Sequence, residues 1–381
     1  MSDSSASSSS LQATPVTVWQ MAENGDVEKL LAWINSGGDV DAKDEANQAT
    51  PLYYAAAQDQ DECVRVLLAA KASVSIRNRL SCPPLIAATQ NNNTKIIKQL
   101  LDAKADVNHG TYYNWVALHS AAKCGSIDTG TLQMLLDANA TLDVVEGLNG
   151  YTPLHCAILN GNVAKVQVLL NAKANIAATT HHRENSLHLA ASQARGSGSL
   201  AQLLIDAKSL TSLHAKNSRD QTPLHAAAKY GNEAVTNVLI NAKANVNSTT
   251  DQDLQTPLHN AAKNGDYATV QALVEAGARL EARNRWAKTP LHLAAEFGES
   301  SLSVLLVAKA DIHVKDSSNR TPLHLAAQKG ITYAIRQLLY AKADADVPDI
   351  SGKTPLHLAA EMGHSEVVKT FIFATNSNLS Q

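Results

Sequence analysis

Apolar positions recur along this chain at helical spacing, in short blocks separated by polar turns. Between Thr354 and Gly363, Leu356, Ala359 and Ala360 form an apolar stripe on one helix face. Thr354 is placed to cap that helix, its hydroxyl oxygen accepting from a free N–H of the first turn. Pro355 suits the first helical position, and Gly363 can take the left-handed conformation that stops the helix. Val367, Val368, Phe371 and Ile372 then resume helical spacing, which predicts a second, antiparallel helix. Two helices this short cannot bury a core alone, so the unit must stack.

The same unit fills most of the chain. Copies begin at Thr50, Pro83, Val116, Thr152, Asn185, Thr222, Thr256, Thr289, Thr321 and Thr354, at steps of 32 to 37 residues, and a degraded copy lies near Val16. A period sustained in this way is the mark of a solenoid. Two units carry insertions. Around Ser126 to Gly130 there are extra residues between the helices, and Ala194 to Gly198 implies a lengthened turn, with Ser209 to Asp220 a longer finger.

Thr-Pro-Leu-His, paired alanines, a glycine, a Leu-Leu pair and the run Ala105 to Asn108 (Ala-Asp-Val-Asn) resemble the ankyrin repeat. The resemblance covers roughly residues 16 to 374 and rests on six intact Thr-Pro-Leu-His copies. It implies an all-α repeat solenoid of about eleven units. In such a solenoid each unit is a helix-turn-helix plus a β-hairpin finger, in a curved stack. The expected organisation is a disordered Ser-rich tail over 1–14, a repeat domain over 15–374 and a C-terminal tail over 375–381. That tail would leave Phe371 and Phe373 uncovered unless it folds back over them or a partner meets them.

One departure from the family recurs. Lysine stands where the second helix would end in glycine, at Lys71, Lys104, Lys173, Lys208, Lys243, Lys309 and Lys342. A cation there suits the helix dipole, while a left-handed conformation costs a residue with a Cβ on the order of 1 kcal/mol. Lysine would then trade some stability for a positive edge, or be a habit of lineage without function. Asp59 and Asn92 replace the glycine that ends the first helix.

Composition narrows function. Aromatics are only 4% of residues, which fits thin layers packed by alanine, and the formal net charge of −3 argues against a nucleic-acid binder relying on a basic surface. Cys63, Cys82, Cys124 and Cys156 form no C-x-x-C pair and read as reduced thiols of a cytoplasmic protein. No apolar run reaches membrane-spanning length, and the N-terminus lacks the pattern of a Sec-type signal peptide.

Catalytic chemistry is not expected. No Gly-x-Gly-x-x-Gly, Walker, Gly-x-Ser-x-Gly or His-Glu-x-x-His motif occurs, and no stretch outside the repeats could fold as a catalytic domain. Neither cofactor nor metal is expected. Eight histidines recur at the motif position, from His119 to His357, and their reading is hydrogen bonds tying each turn to its neighbour. Asn108 and Asn247 each end an Ala-(Asp/Asn)-Val-Asn run. That context resembles asparagine hydroxylation sites of animal ankyrin proteins, and a structural role in the turn is the default.

What remains is recognition. The resemblance implies that residues three and four before each motif start point out along a finger. These include Tyr112, Tyr113, His181, His182, Arg219, Arg285 and Trp286, with Trp115 nearby. Tyr230 and Phe297 join the concave side. Large aromatics and arginines of this kind resemble interface anchors. The alternative is that Trp286 and the tyrosines pack on neighbouring fingers. The expected function is a monomeric, non-catalytic scaffold or adaptor binding a protein partner. Alternatives are a host-directed effector of an intracellular microbe and a substrate-recruiting regulatory subunit.

Overall fold

A computed structural model describes residues 17–126, 128–193, 198–207 and 212–378 of the chain. The expected 1–14 tail, the Ala194–Ser197 part of the lengthened turn, Lys208 and the start of the long finger lie outside the described residues. The chain divides into two compact units, Met1–Leu148 and Asn149–Gln381.

In the first unit, α1 (Val18–Asn24), α2 (Val27–Asn35), α3 (Pro51–Ala57), α4 (Asp61–Ala69), α5 (Pro84–Gln90), α6 (Thr94–Asp102), α7 (Ala117–Lys123) and α8 (Gly130–Asp137) alternate as first and second members of pairs. First helices stack on first helices and second on second. The core between them is leucine, isoleucine and alanine, with Leu52, Ala55, Leu67, Ile96, Leu100, Leu118 and Leu132 at full burial. Alanine at the stacking surface lets successive first helices approach. Thr17, not Val16, caps the degraded first copy, its hydroxyl accepting from the Gln20 N–H while the Gln20 side chain accepts from the Thr17 N–H.

The second unit continues the scheme. Its helices are α9 (Pro153–Leu159), α10 (Val163–Asn171), α11 (Ser186–Ala191), α12 (Gly198–Asp206), α13 (Pro223–Tyr230), α14 (Glu233–Asn241), α15 (Pro257–Asn264), α16 (Tyr267–Glu275), α17 (Pro290–Phe297), α18 (Glu299–Val307), α19 (Pro322–Lys329), α20 (Thr332–Tyr340), α21 (Pro355–Glu361) and α22 (Ser365–Asn378). α22 runs through residues expected to be a tail. It buries Phe371 to 3% exposure and leaves Phe373 at 69%.

Thr-Pro-Leu-His is a capping box with histidine in the third helical position. In the Thr222 copy the His225 N–H is turned toward the threonine hydroxyl at 3.4 Å, and the Thr222 N–H donates to His225 Nδ1 at 3.2 Å. The far ring nitrogen, Nε2, then donates to the Gln255 carbonyl of the next finger at 3.0 Å. The same bridge joins His188 to Gln221, His259 to Lys288, His292 to Arg320 and His324 to Lys353. One side chain thus closes a helix end and ties consecutive repeats, as the sequence suggested.

The fingers are tight turns rather than ladders: among the described residues no strand forms. The Asn284 finger is closed by backbone bonds from Asn284 N–H to the Lys288 carbonyl at 3.0 Å and from Ala287 N–H to the Asn284 carbonyl at 2.8 Å. The first residue of the turn braces it from within. Asn284 Oδ1 accepts from the Trp286 and Lys288 N–H groups, and Asn78, Asn217, Asp316 and Asp349 repeat the arrangement. Most neighbouring fingertips share one further backbone bond, such as Ser317 N–H to the Trp286 carbonyl at 3.0 Å. A single rung at such a junction is too little for a β-ladder, but it sets the spacing of the two fingertips.

Six of the seven lysines at the second-helix ends adopt left-handed backbone, with φ of 65° at Lys71 and Lys104, 74° at Lys173, 70° at Lys243, 63° at Lys309 and 69° at Lys342. The seventh, Lys208, is not described. Asp59 and Asn92 follow suit at 58° and 59°.

Candidate partner-binding surface

Two surfaces carry the residues singled out in the sequence. On the fingers of the first unit, Tyr112 is 75% exposed and Tyr113 56%, beside Leu80 at 68%. The Tyr112 N–H faces the Leu80 carbonyl at 3.5 Å, and Gly147 donates to the Tyr113 carbonyl at 2.7 Å. The backbone of this fingertip is therefore held while its rings point to solvent. Trp115 sits elsewhere. It is partly buried, stacks on His119 with ring centroids 5.0 Å apart and donates from Nε1 to Ser120 Oγ at 2.8 Å. With Gln90, Thr111, Lys123 and Cys124 it lines an open cavity of ≈ 420 Å³.

In the second unit His181, His182, Arg219 and Arg285 are all exposed on fingertips. His181 lies against Gly150, whose φ is +78° and whose missing Cβ leaves room for the ring: a Cβ there would meet His181 at 2.6 Å. Trp286 is 47% exposed. The residue two before each motif start from Thr50 onward is left-handed, and in this unit Arg183, Asp220, Leu254 and Ala287 hold φ of 57°, 57°, 53° and 55°, a conformation that sequence reading did not anticipate because none of the four is glycine or asparagine.

Tyr230 and Phe297, 49% and 47% exposed, end α13 and α17 on the first-helix face. A feature missed from sequence organises this face. In four units the residue just before the motif start reaches the seventh residue after it. Lys288 pairs with Glu296 at 2.6 Å, Lys353 with Glu361 at 2.6 Å, and Arg320 donates to Gln328 at 3.2 Å. In the first unit Trp115 and Lys123 use the same two positions, the ammonium 5.3 Å from the ring centroid.

The buried thiols and motif histidines are not tuned as nucleophiles or bases. Burial pushes the Cys82 thiol up to about 11 and raises that of Cys63, the opposite of an activated nucleophile. Burial likewise holds the motif histidines His188, His225, His259 and His292 down to about 4, so they stay neutral and structural near pH 7. Among the described residues no group of three or more His, Cys, Asp or Glu gathers to hold a metal ion, and no helix is long and apolar enough to cross a membrane. Asn108 and Asn247 serve the stack: Asn108 Oδ1 accepts from the Thr141 N–H at 2.7 Å, and Asn247 Oδ1 from the Arg279 N–H at 2.8 Å.

Paired helices, stapled fingers and an inward row of histidines define a helical-repeat protein whose variable residues stand on fingertips and the first-helix face. The chain belongs to the ankyrin repeat family: the family model described as ankyrin repeats in three copies matches residues 18–111, 110–181, 187–284 and 291–380. It is similar to the B-cell lymphoma 3 protein homolog of Mus musculus, 29% identical over 220 residues, which is 56% of this chain and 48% of that protein. Inversin of Homo sapiens is 28% identical over 226 residues, 57% of this chain and 21% of inversin. The human transient receptor potential cation channel subfamily A member 1 is 28% identical over 195 residues, 50% of this chain and 17% of the channel. The chain thus spans half or less of the length of these relatives.

Proposed function

We propose that this chain is a non-catalytic recognition scaffold that binds a protein partner through its fingertips and the first-helix face. The observation that carries this reading is the fingertip of Tyr112 and Tyr113. Its backbone is held by neighbouring fingers, yet its two large rings remain more than half exposed. Prepositioned aromatic side chains of low conformational entropy are what an interface anchor requires. Trp286, Arg285 and Arg219 on the second unit's fingers extend the same surface chemistry. The net charge of −3 favours protein over nucleic acid as the partner. In this reading the chain acts as a monomer in the cytoplasm.

The test is affinity capture from cell lysate with the wild type and a Tyr113→Ala, Trp286→Ala double variant, after circular dichroism shows both folded. A protein held by the wild type and lost by the variant supports the fingertip reading. Equal capture by both assigns those aromatics a structural role and moves the interface elsewhere.

A further inference from the structure

The first-helix face of the second unit carries a cluster of positive charge and aromatic surface in which the usual neutralising pattern is broken. Where Lys288 and Lys353 precede a motif start, Glu296 and Glu361 answer them seven residues into the unit. In the Thr222 and Thr256 units the preceding residue is neutral, Gln221 or Gln255, and the answering position is itself a lysine, Lys229 or Lys263. Lys329, one residue further along its own unit, adds a third exposed ammonium. None of the ion pairs among the described residues involves these three lysines.

Their ammonium groups gather over aromatic rings instead. Lys229 Nζ lies 5.4 Å from the Tyr230 centroid, while Lys263 and Lys329 flank Phe297 at 5.3 and 5.4 Å. The supporting helices α13, α15, α17 and α19 stack consecutively. The nearest acid on α17, Glu296, is only 12% exposed and committed to Lys288. A Cβ at Gly298 would sit 2.0 Å from the Ala262 carbonyl oxygen, so the absence of a side chain there is what lets α15 and α17 close enough to bring Lys263 over Phe297.

We propose that this patch, bounded by Tyr230 and Phe297, is the seat of an acidic peptide segment of the partner. Carboxylates of the segment meet Lys229, Lys263 and Lys329, and its apolar side chains cover the two rings. Cation–aromatic contacts hold the ammonium groups in place before binding, so fewer side-chain rotamers are lost when a carboxylate arrives. The proposal deepens the partner-binding reading and rests on it.

The experiment uses the full chain and two fluorescein-labelled peptides, one of repeated Glu-Glu-Phe-Gly blocks and one with glutamine for every glutamate. Anisotropy titration at low salt should show the acidic peptide binding about tenfold tighter or more. That preference should vanish in a Lys263→Gln, Lys329→Gln variant whose melting temperature matches the wild type. Equal binding of the two peptides, no binding of either, or a preference that survives in the variant overturns the proposal. So does tighter binding of a single-stranded oligonucleotide of the same charge. The Tyr113→Ala, Trp286→Ala variant separates this result from the broader reading. It should bind the acidic peptide as the wild type does, whatever lysate capture shows.

Discussion

Lys288 Nζ lies 2.6 Å from Glu296 Oε2, and the two side chains keep only 16% and 12% of their exposure. The pair spans the start of α17, linking the finger that precedes the helix to the helix's last turn. A pair this far out of water is costly to break on one side, because the remaining charge is left facing a partner that cannot neutralise it. Glu296→Ala should therefore lower stability by about 1–3 kcal/mol. The matching Glu361→Ala, whose pair with Lys353 is 41% and 49% exposed, should cost less than about 1 kcal/mol. Urea midpoints of the two variants in one buffer check this, and equal losses would contradict the burial argument.

The histidine row makes stability depend on pH in a defined sense. In His188, His225, His259 and His292 burial depresses the folded pKa to about 4, below the unfolded value of about 6.5. Between those values the unfolded chain binds protons that the folded chain refuses, so stability is complete above about pH 6.5 and falls as pH drops toward 4. Chemical denaturation at pH 7.0, 5.5 and 4.5 should show a falling midpoint. His225→Gln retains a capping residue without a titrating ring and should flatten that fall while losing some stability at pH 7. A midpoint independent of pH over this range would mean that these rings are not held neutral.

The left-handed lysines offer a test of backbone strain. Lys243 holds φ of 70° and is exposed, so its Cβ is the main feature that opposes the conformation. Lys243→Gly should raise the melting temperature by removing a penalty on the order of 1 kcal/mol, offset in part by the greater freedom of glycine in the unfolded chain. Lys243→Ala keeps the Cβ and should not. If the glycine variant melts no higher than the wild type, the strain at this turn is already relieved by the cation's interaction with the helix end.

These cases also show which features could be read from sequence. Thr-Pro-Leu-His was legible because capping, proline at the first helical position and the glycine stop are all local chemistry, and because repetition amplified them. The Lys288–Glu296 pairing was not, since its members sit eight residues apart across a cap and only the tertiary path of the finger brings them together. Left-handed turns at Leu254 and Ala287 were hidden for a related reason: closure of each finger on itself, with Ala287 N–H donating to the Asn284 carbonyl and Leu254 N–H to the Thr250 carbonyl, holds a conformation that neither residue prefers. At the C-terminus the apolar pattern ends near Phe373, yet α22 continues to Asn378 because no glycine or proline interrupts it. Tyr112, Tyr113 and Trp286 are exposed on their turns, but the partial burial of Trp115 depended on His119 and Ser120, contacts that spacing alone does not weigh.

Gly298 joins the packing of the stack to the chemistry of its surface. It ends α17 with φ of −123°, an angle open to any residue, so its requirement is one of space rather than backbone freedom. A Cβ there would meet the Ala262 carbonyl oxygen at 2.0 Å and Ser301 Oγ at 2.7 Å, and the Ser301 hydroxyl lies between two acceptors, the Gly298 carbonyl at 2.7 Å and the Ala262 carbonyl at 3.0 Å. Gly298→Ala must push α17 away from α15 and displace the Ser301 hydroxyl, which should cost about 1–3 kcal/mol. Gly363→Ala controls for substitution as such: nothing lies within 4 Å of a Cβ there, and only its φ of +74° opposes the change, so its loss should stay near 1 kcal/mol. The two variants differ in a second way. Displacing α17 carries Phe297 away from Lys263, so Gly298→Ala should also weaken binding of the acidic peptide at temperatures where it remains folded, whereas Gly363→Ala should not. Were Gly298→Ala as stable as the control, the close approach of these two helices would not be what sets the geometry of the lysine and phenylalanine patch.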